Sequence, residues 1–147
     1  EYELIGTFAH DFIKFIENTS MSKTYKIPVL LAFYNNGKMK LEINDDDLYR
    51  SFKEFYSKGS NEVDMLKDKS TSKFKTWQQK EYVSLARKNP VHFLCKSSSE
   101  FFTIEEDKVC LNKGLEEFLN NHTFINNVKD AIDFRVKEYY KARFENK

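Results

Sequence analysis

The chain has 147 residues, 40% hydrophobic and 32% charged, with a formal net charge of +1. That length suits one domain with its own core. The composition excludes a membrane span and a disordered chain, and the near-neutral charge excludes a bulk polyelectrolyte attraction to nucleic acid. The longest apolar run, Ile27 to Tyr34, is far short of the ~20 residues that cross a bilayer. No signal-peptide pattern opens the chain. Glu1 leads straight into a helical pattern, so residues 1–147 read as a single domain cut from a larger protein. Cys95 and Cys110 have no CxxC spacing and read as reduced thiols, which points to the cytoplasm.

Only four Gly and two Pro interrupt the chain, so its elements should be long. Leu4, Ile5, Phe8, Phe12, Phe15 and Ile16 recur at helical spacing and predict an amphipathic helix over 2–18. A polar break follows at 19–22. Residues 27–34 predict a buried helix, with Pro28 in its first turn, where a missing N–H costs nothing; a strand turning at Asn36-Gly37 is the competing reading, disfavoured because Pro28 is awkward in a central strand. Asn35-Asn36-Gly37 ends it with residues able to take positive φ. Met39 to Ile43 alternates like a short strand. Asn44 with Asp45 to Asp47 is a helix start, and Leu48, Phe52, Phe55 and Tyr56 give that helix its buried stripe, closed by Gly59. A short helix is expected over 61–66 and a polar, basic loop over 67–75. Another helix follows over 76–88, with Trp77, Tyr82, Leu85 and Ala86 partly inward, and Asn89-Pro90 restarts the chain. Runs 101–104 and 109–111 predict a β-hairpin with Phe102, Ile104, Val109 and Leu111 inward. After a short helix at 115–119, Thr123 caps a long last helix with the stripe Ile125, Val128, Ile132, Val136, Tyr139 and Arg143.

The fold class is therefore mostly α with a minor β component: a helical domain with a winged-helix-like β-hairpin and a long C-terminal helix. In a winged-helix unit one helix enters the major groove and the hairpin lies on the backbone. An unrelated α-rich domain carrying a hairpin fits the same order of elements.

Charge is uneven. Residues 66–96 hold eight Lys/Arg against two acids, and residues 42–64 hold seven acids against three bases. Basic residues interleaved with Trp77 and Tyr82 suit phosphate contact and base stacking, and a solvated helix face explains the same lysines. Lys73, Lys75, Lys80, Arg87, Lys88 and Lys96 are the candidate nucleic-acid contacts.

Catalytic patterns are incomplete. No GxxxxGK[ST] or GxGxxG phosphate cradle is present. His10, His92 and His122 lack metal-ligand spacing, so no metal site is expected. His92 and Cys95 share a helix face without an oxyanion-hole motif. Glu106-Asp107-Lys108 contains the Glu-x-Lys letters of a metal-dependent nuclease, with Asp64 as the remote upstream acid, but it falls on the hairpin turn.

The segments Phe12 to Thr19, Ser20 to Phe33, Ser51 to Tyr56 and Ala86 to Pro90 together resemble the C-terminal region of bacterial DEAD/DEAH-box, superfamily II helicases of the restriction-subunit type. The likeness runs from about Phe12 to Phe144. It implies a parent that hydrolyses ATP with Mg and works on nucleic acid, DNA above all. It implies for this chain an accessory role beside the upstream motor domains. The family's Walker A lysine, DE[AC][DH] acids and arginine finger have no matching positions here, so no catalytic residue and no cofactor is carried over. Three readings stand: a nucleic-acid-binding accessory domain, a protein-interaction domain packing on the motor or a partner subunit, and a degenerate nuclease built on Asp64, Glu106 and Lys108.

Overall fold

A computed structural model describes residues 2–145. It is mostly helical, with one small antiparallel sheet and a long C-terminal helix. The first helical pattern is cut in two. Tyr2–Leu4 form a single 3-10 turn, Gly6 takes φ +85, and α1 runs only over Phe8–Asn18. Thr7 explains the new start, because its hydroxyl accepts the His10 N–H at 3.2 Å while its backbone is extended.

α2 (Lys26–Tyr34) is the central helix, with six of its nine residues buried. Asn35 and Asn36 both adopt left-handed backbone before Gly37, so the predicted stop is real. The expected strand over 39–43 shrinks to β1 (Glu42–Ile43). α3 (Asp45–Tyr56) begins at a capping box. Asn44 Oδ1 accepts the Asp47 N–H, Asp47 Oδ2 accepts the Asn44 N–H, and both bonds are 3.0 Å. α3 ends at Tyr56, and Gly59 opens a 3-10 turn leading into α4 (Val63–Leu66).

Burial raises the Asp47 carboxyl, but the Asn44 amide, Lys40 at 2.9 Å and Arg50 at 2.7 Å outweigh it and hold the group below the usual carboxylate range. A depressed folded pKa contributes stability above the unfolded value, about 4, and loses it as pH falls through the folded value. Asp47→Ala should therefore be less stable than the native chain at pH 7. The gap should narrow as pH falls below the unfolded value and through the lower folded one, as read from urea midpoints at pH 7 and in acid.

α5 (Gln79–Ala86) does not stop before Asn89-Pro90. It continues through a wide π-turn, Arg87–Val91, into α6 (His92–Ser97). Proline has no N–H, and its ring clashes with the carbonyl four residues back in a regular helix. The widened turn accommodates Pro90 without a break.

β2 (Phe102–Glu105) and β3 (Lys108–Leu111) form the predicted hairpin, and β1 pairs with β3, giving the order β1-β3-β2. The register places Ile43, Val109, Ile104, Phe102 and Leu111 on one face. Ile104 is nevertheless 50% exposed, because it lies beside the hairpin turn, beyond the helices that cover the rest of that face. Phe102 sits at the centre of the core, with Phe12, Phe15 and Phe33 ring centroids 5.5–6.2 Å away.

After a 3-10 segment at Lys113–Phe118, α7 (His122–Glu145) packs on α1 and α2. Its cap is Asn121, not Thr123: Asn121 Oδ1 accepts the Phe124 N–H at 2.9 Å. The predicted stripe holds through Ile132, and Val136, Tyr139 and Arg143 are half-buried. Among the described residues no helix is long and apolar enough to cross a membrane.

Candidate nucleic-acid interface

The helix over 79–97 carries most of the predicted contacts. Gln78 N–H donates to Glu81 Oε1 at 2.7 Å and starts it. Tyr82, Ala86, Val91 and Leu94 are buried, while Lys80, Lys88 and Lys96 are exposed. In an uninterrupted α-helix, at about 100° per residue, Lys96 would lie about 160° around from Lys80. The π-turn takes up roughly one extra residue, which brings Lys96 back to about 60° from Lys80, with Lys88 about 80° round. The wide turn thus keeps three lysines on one arc and the buried residues together on the other side.

The six predicted contacts divide. Lys73 is exposed in the turn before the helix. Lys75 is exposed but 3.2 Å from Glu62. Lys80, Lys88 and Lys96 form no ion pair among the described residues. Arg87 is not free: its guanidinium binds Asp45 Oδ1 through Nε at 2.9 Å and Nη2 at 2.7 Å, and Nη2 also donates to the Asp107 carbonyl. It braces the helix against the start of α3 and the hairpin turn, and Gln79 Nε2 reaches Asp46 Oδ1 at 2.7 Å beside it. One flank of the lysine arc is accordingly acidic, with Asp45, Asp46, Glu106 and Asp107 around a shared depression.

The predicted aromatic partners are core residues. Tyr82 is buried, with its hydroxyl 3.4 Å from the Phe74 carbonyl and its titration pushed up by burial. Trp77 packs edge-on against it at 5.3 Å. The exposed ring on this helix is Phe93, 45% exposed and edge-on to His92 at 5.1 Å. The sequence pattern did not single out Phe93. Pro90 was the signal that the phase changes there.

Other candidates are not assembled. Asp64 is fully buried. Its Oδ2 accepts the Thr24 N–H at 2.9 Å and the Thr24 hydroxyl at 2.8 Å, its Oδ1 accepts the Tyr139 hydroxyl at 2.8 Å, and Arg143 Nε lies 3.5 Å away. Glu106 and Lys108 lie exposed on the hairpin and share none of these contacts. The nuclease constellation of Asp64, Glu106 and Lys108 is therefore not formed. Cys95 is half-buried, and burial pushes its thiol up. Among the described residues one trio could converge on a metal, Glu42, Glu105 and Cys110, on the outer sheet face. Burial and the two carboxylates raise the Cys110 thiol, and Lys108 Nζ lies 3.5 Å from Glu42. The first effect works against a thiolate ligand, and the second already gives Glu42 a cation partner.

Comparison with protein-family models, curated proteins and solved structures finds no match to this chain.

Proposed function

We propose that this domain binds nucleic acid through the exposed arc of the 79–97 helix, as an accessory module of an ATP-dependent superfamily II helicase. The observation that carries the reading is the row Lys80, Lys88 and Lys96, exposed, without ion pairs among the described residues and gathered on one arc of a single helix. Unpaired lysines act as point charges for phosphates. Lys73 extends the row. Arg87 holds the helix in place and is not itself a contact. The chain binds and positions, and the ATP and Mg chemistry belongs to the motor that the family resemblance implies.

The test is fluorescence anisotropy of the domain with labelled DNA across a salt series. Binding that weakens steeply as salt rises supports phosphate contact, because each neutralised phosphate releases counterions. Absence of binding at low salt overturns the reading. In that case the protein-interaction reading gains. It is favoured by a cavity of about 370 Å³ between α2, α3 and α7, floored by Leu31, Ala32, Phe55, Ile132 and Val136, and it predicts association with the motor that salt does not weaken.

A further inference from the structure

The acidic flank and the opposite flank of the lysine row differ in a way that selects the form of nucleic acid. On the opposite side the helix presents Leu85, Asn89, Phe93 and Ser97 to a groove of about 540 Å³. The far wall is the loop around Ser22 and the turn around Ser70. The groove's lysines are already engaged: Lys23 is ion-paired with Asp68, and Lys26 Nζ donates to Thr19 Oγ1 at 3.1 Å and the Ser20 carbonyl at 2.7 Å. What remains is neutral: hydroxyls, one amide and an exposed aromatic ring. That chemistry suits nucleobases and not phosphates.

We propose that the ligand of this surface is single-stranded nucleic acid, its phosphates along Lys80, Lys88 and Lys96 and its bases turned into the groove, one of them stacked on Phe93. The proposal rests on the nucleic-acid reading above and names the substrate of that same site. A duplex fits worse for a geometric reason. An α-helix of about 10–12 Å diameter fills a major groove about 12 Å wide. Phosphates then line both of its sides. Here one side carries Asp46, Glu106 and Asp107 against Lys108, with Asp45 already paired to Arg87, a net negative flank that disfavours them. An unpaired strand needs phosphate contacts along one line only and can bury its bases on the neutral side. Stacking tolerates any base; Arg87 and Gln79 are committed to Asp45 and Asp46, which leaves Asn89 as the one amide of this helix facing the bases. Sequence preference should be slight.

The experiment compares a labelled 20-nucleotide oligo(dT) with a mixed-sequence duplex of equal length, against the native chain, Phe93→Ala and Phe93→Trp. Oligo(dT) should bind the native chain at least tenfold more tightly than the duplex. Phe93→Ala should weaken oligo(dT) binding roughly tenfold and leave duplex binding unchanged, and Phe93→Trp should restore it. Duplex binding as tight as oligo(dT) binding overturns the single-strand proposal and leaves the nucleic-acid reading standing, as does a Phe93→Ala effect that is nil or equal on both ligands. No binding to either ligand overturns both.

Discussion

Asp64→Ala should lower the melting temperature by about 10 °C, the largest stability loss expected from a single polar side chain here. The carboxylate is fully buried and accepts three hydrogen bonds, from the Thr24 amide, the Thr24 hydroxyl and the Tyr139 hydroxyl. Its removal leaves these donors without their acceptor and the Arg143 guanidinium, 3.5 Å away, without its counter-charge. Stranding buried polar groups costs about 1–3 kcal/mol, more where a charge loses its partner. A loss of about 3 kcal/mol converts at roughly 2–4 °C per kcal/mol for a chain of this size. The effect reaches further than one contact. Thr24 Oγ1 lies 3.1 Å from the Tyr56 hydroxyl and 3.3 Å from that of Tyr140, which itself donates to the Asn61 carbonyl at 3.0 Å. Burial first, and then the Asp64 charge, raises Tyr139, and burial with the same charge carries Tyr140 up to about 12, so both phenols stay neutral donors across the physiological range. Tyr139→Phe removes one donor and leaves the carboxylate bound to Thr24. Its loss should be about 1 kcal/mol, and a thermal melt followed by circular dichroism separates the two variants.

The triple variant Lys80→Gln, Lys88→Gln, Lys96→Gln should nearly abolish nucleic-acid binding without loss of the fold. All three side chains are exposed and carry no internal ion pair among the described residues. On a single strand each phosphate neutralised contributes about 0.7 to the slope of log affinity against log salt, so the slope should fall by about 2. Arg87→Gln is the contrast. It removes the brace to Asp45 and the hairpin, so it should cost stability while leaving the salt slope close to native. A triple variant with the native slope would place the phosphate contacts elsewhere.

Much of this architecture was legible in the residue pattern. The all-round apolar stretch of α2, the Asn44 cap and the hairpin each follow from local chemistry that tertiary contacts reinforce. The departures have local causes too. Gly6 and Thr7 divide the first helix because a positive φ and a side-chain cap outweigh a continuous apolar period. Asn121 replaces Thr123 as a cap because its carboxamide reaches the Phe124 amide. At Pro90 the expectation of a break fails, since a wider turn costs less than ending a helix whose buried residues continue beyond it. For the candidate interface, counting charges singled out the lysine-bearing segment 66–96. It could not separate a lysine left free from an arginine committed to Asp45, because that distinction depends on α3 and the hairpin turn arriving from elsewhere in the chain. It also missed Phe93, whose exposure depends on the phase shift at the π-turn.

The polar cluster around Asp64 has a consequence for how the chain is made. Thr24 meets Asp64 across 40 residues and Tyr140 across 116. During synthesis the N-terminal partner leaves the ribosome first, and the phenols that complete its bonding emerge only with the second half of α7. Until then Thr24 and Asp64 must stay hydrated or pair alone, so the α2, α3 and α4 region cannot close into its final dry form. Nascent chains arrested before Tyr139 should remain open to proteases in the 57–78 segment, and chains extended past Arg143 should resist them. The last helix therefore acts as the step that commits the whole domain, and its sequence governs the vulnerability of a segment translated long before it.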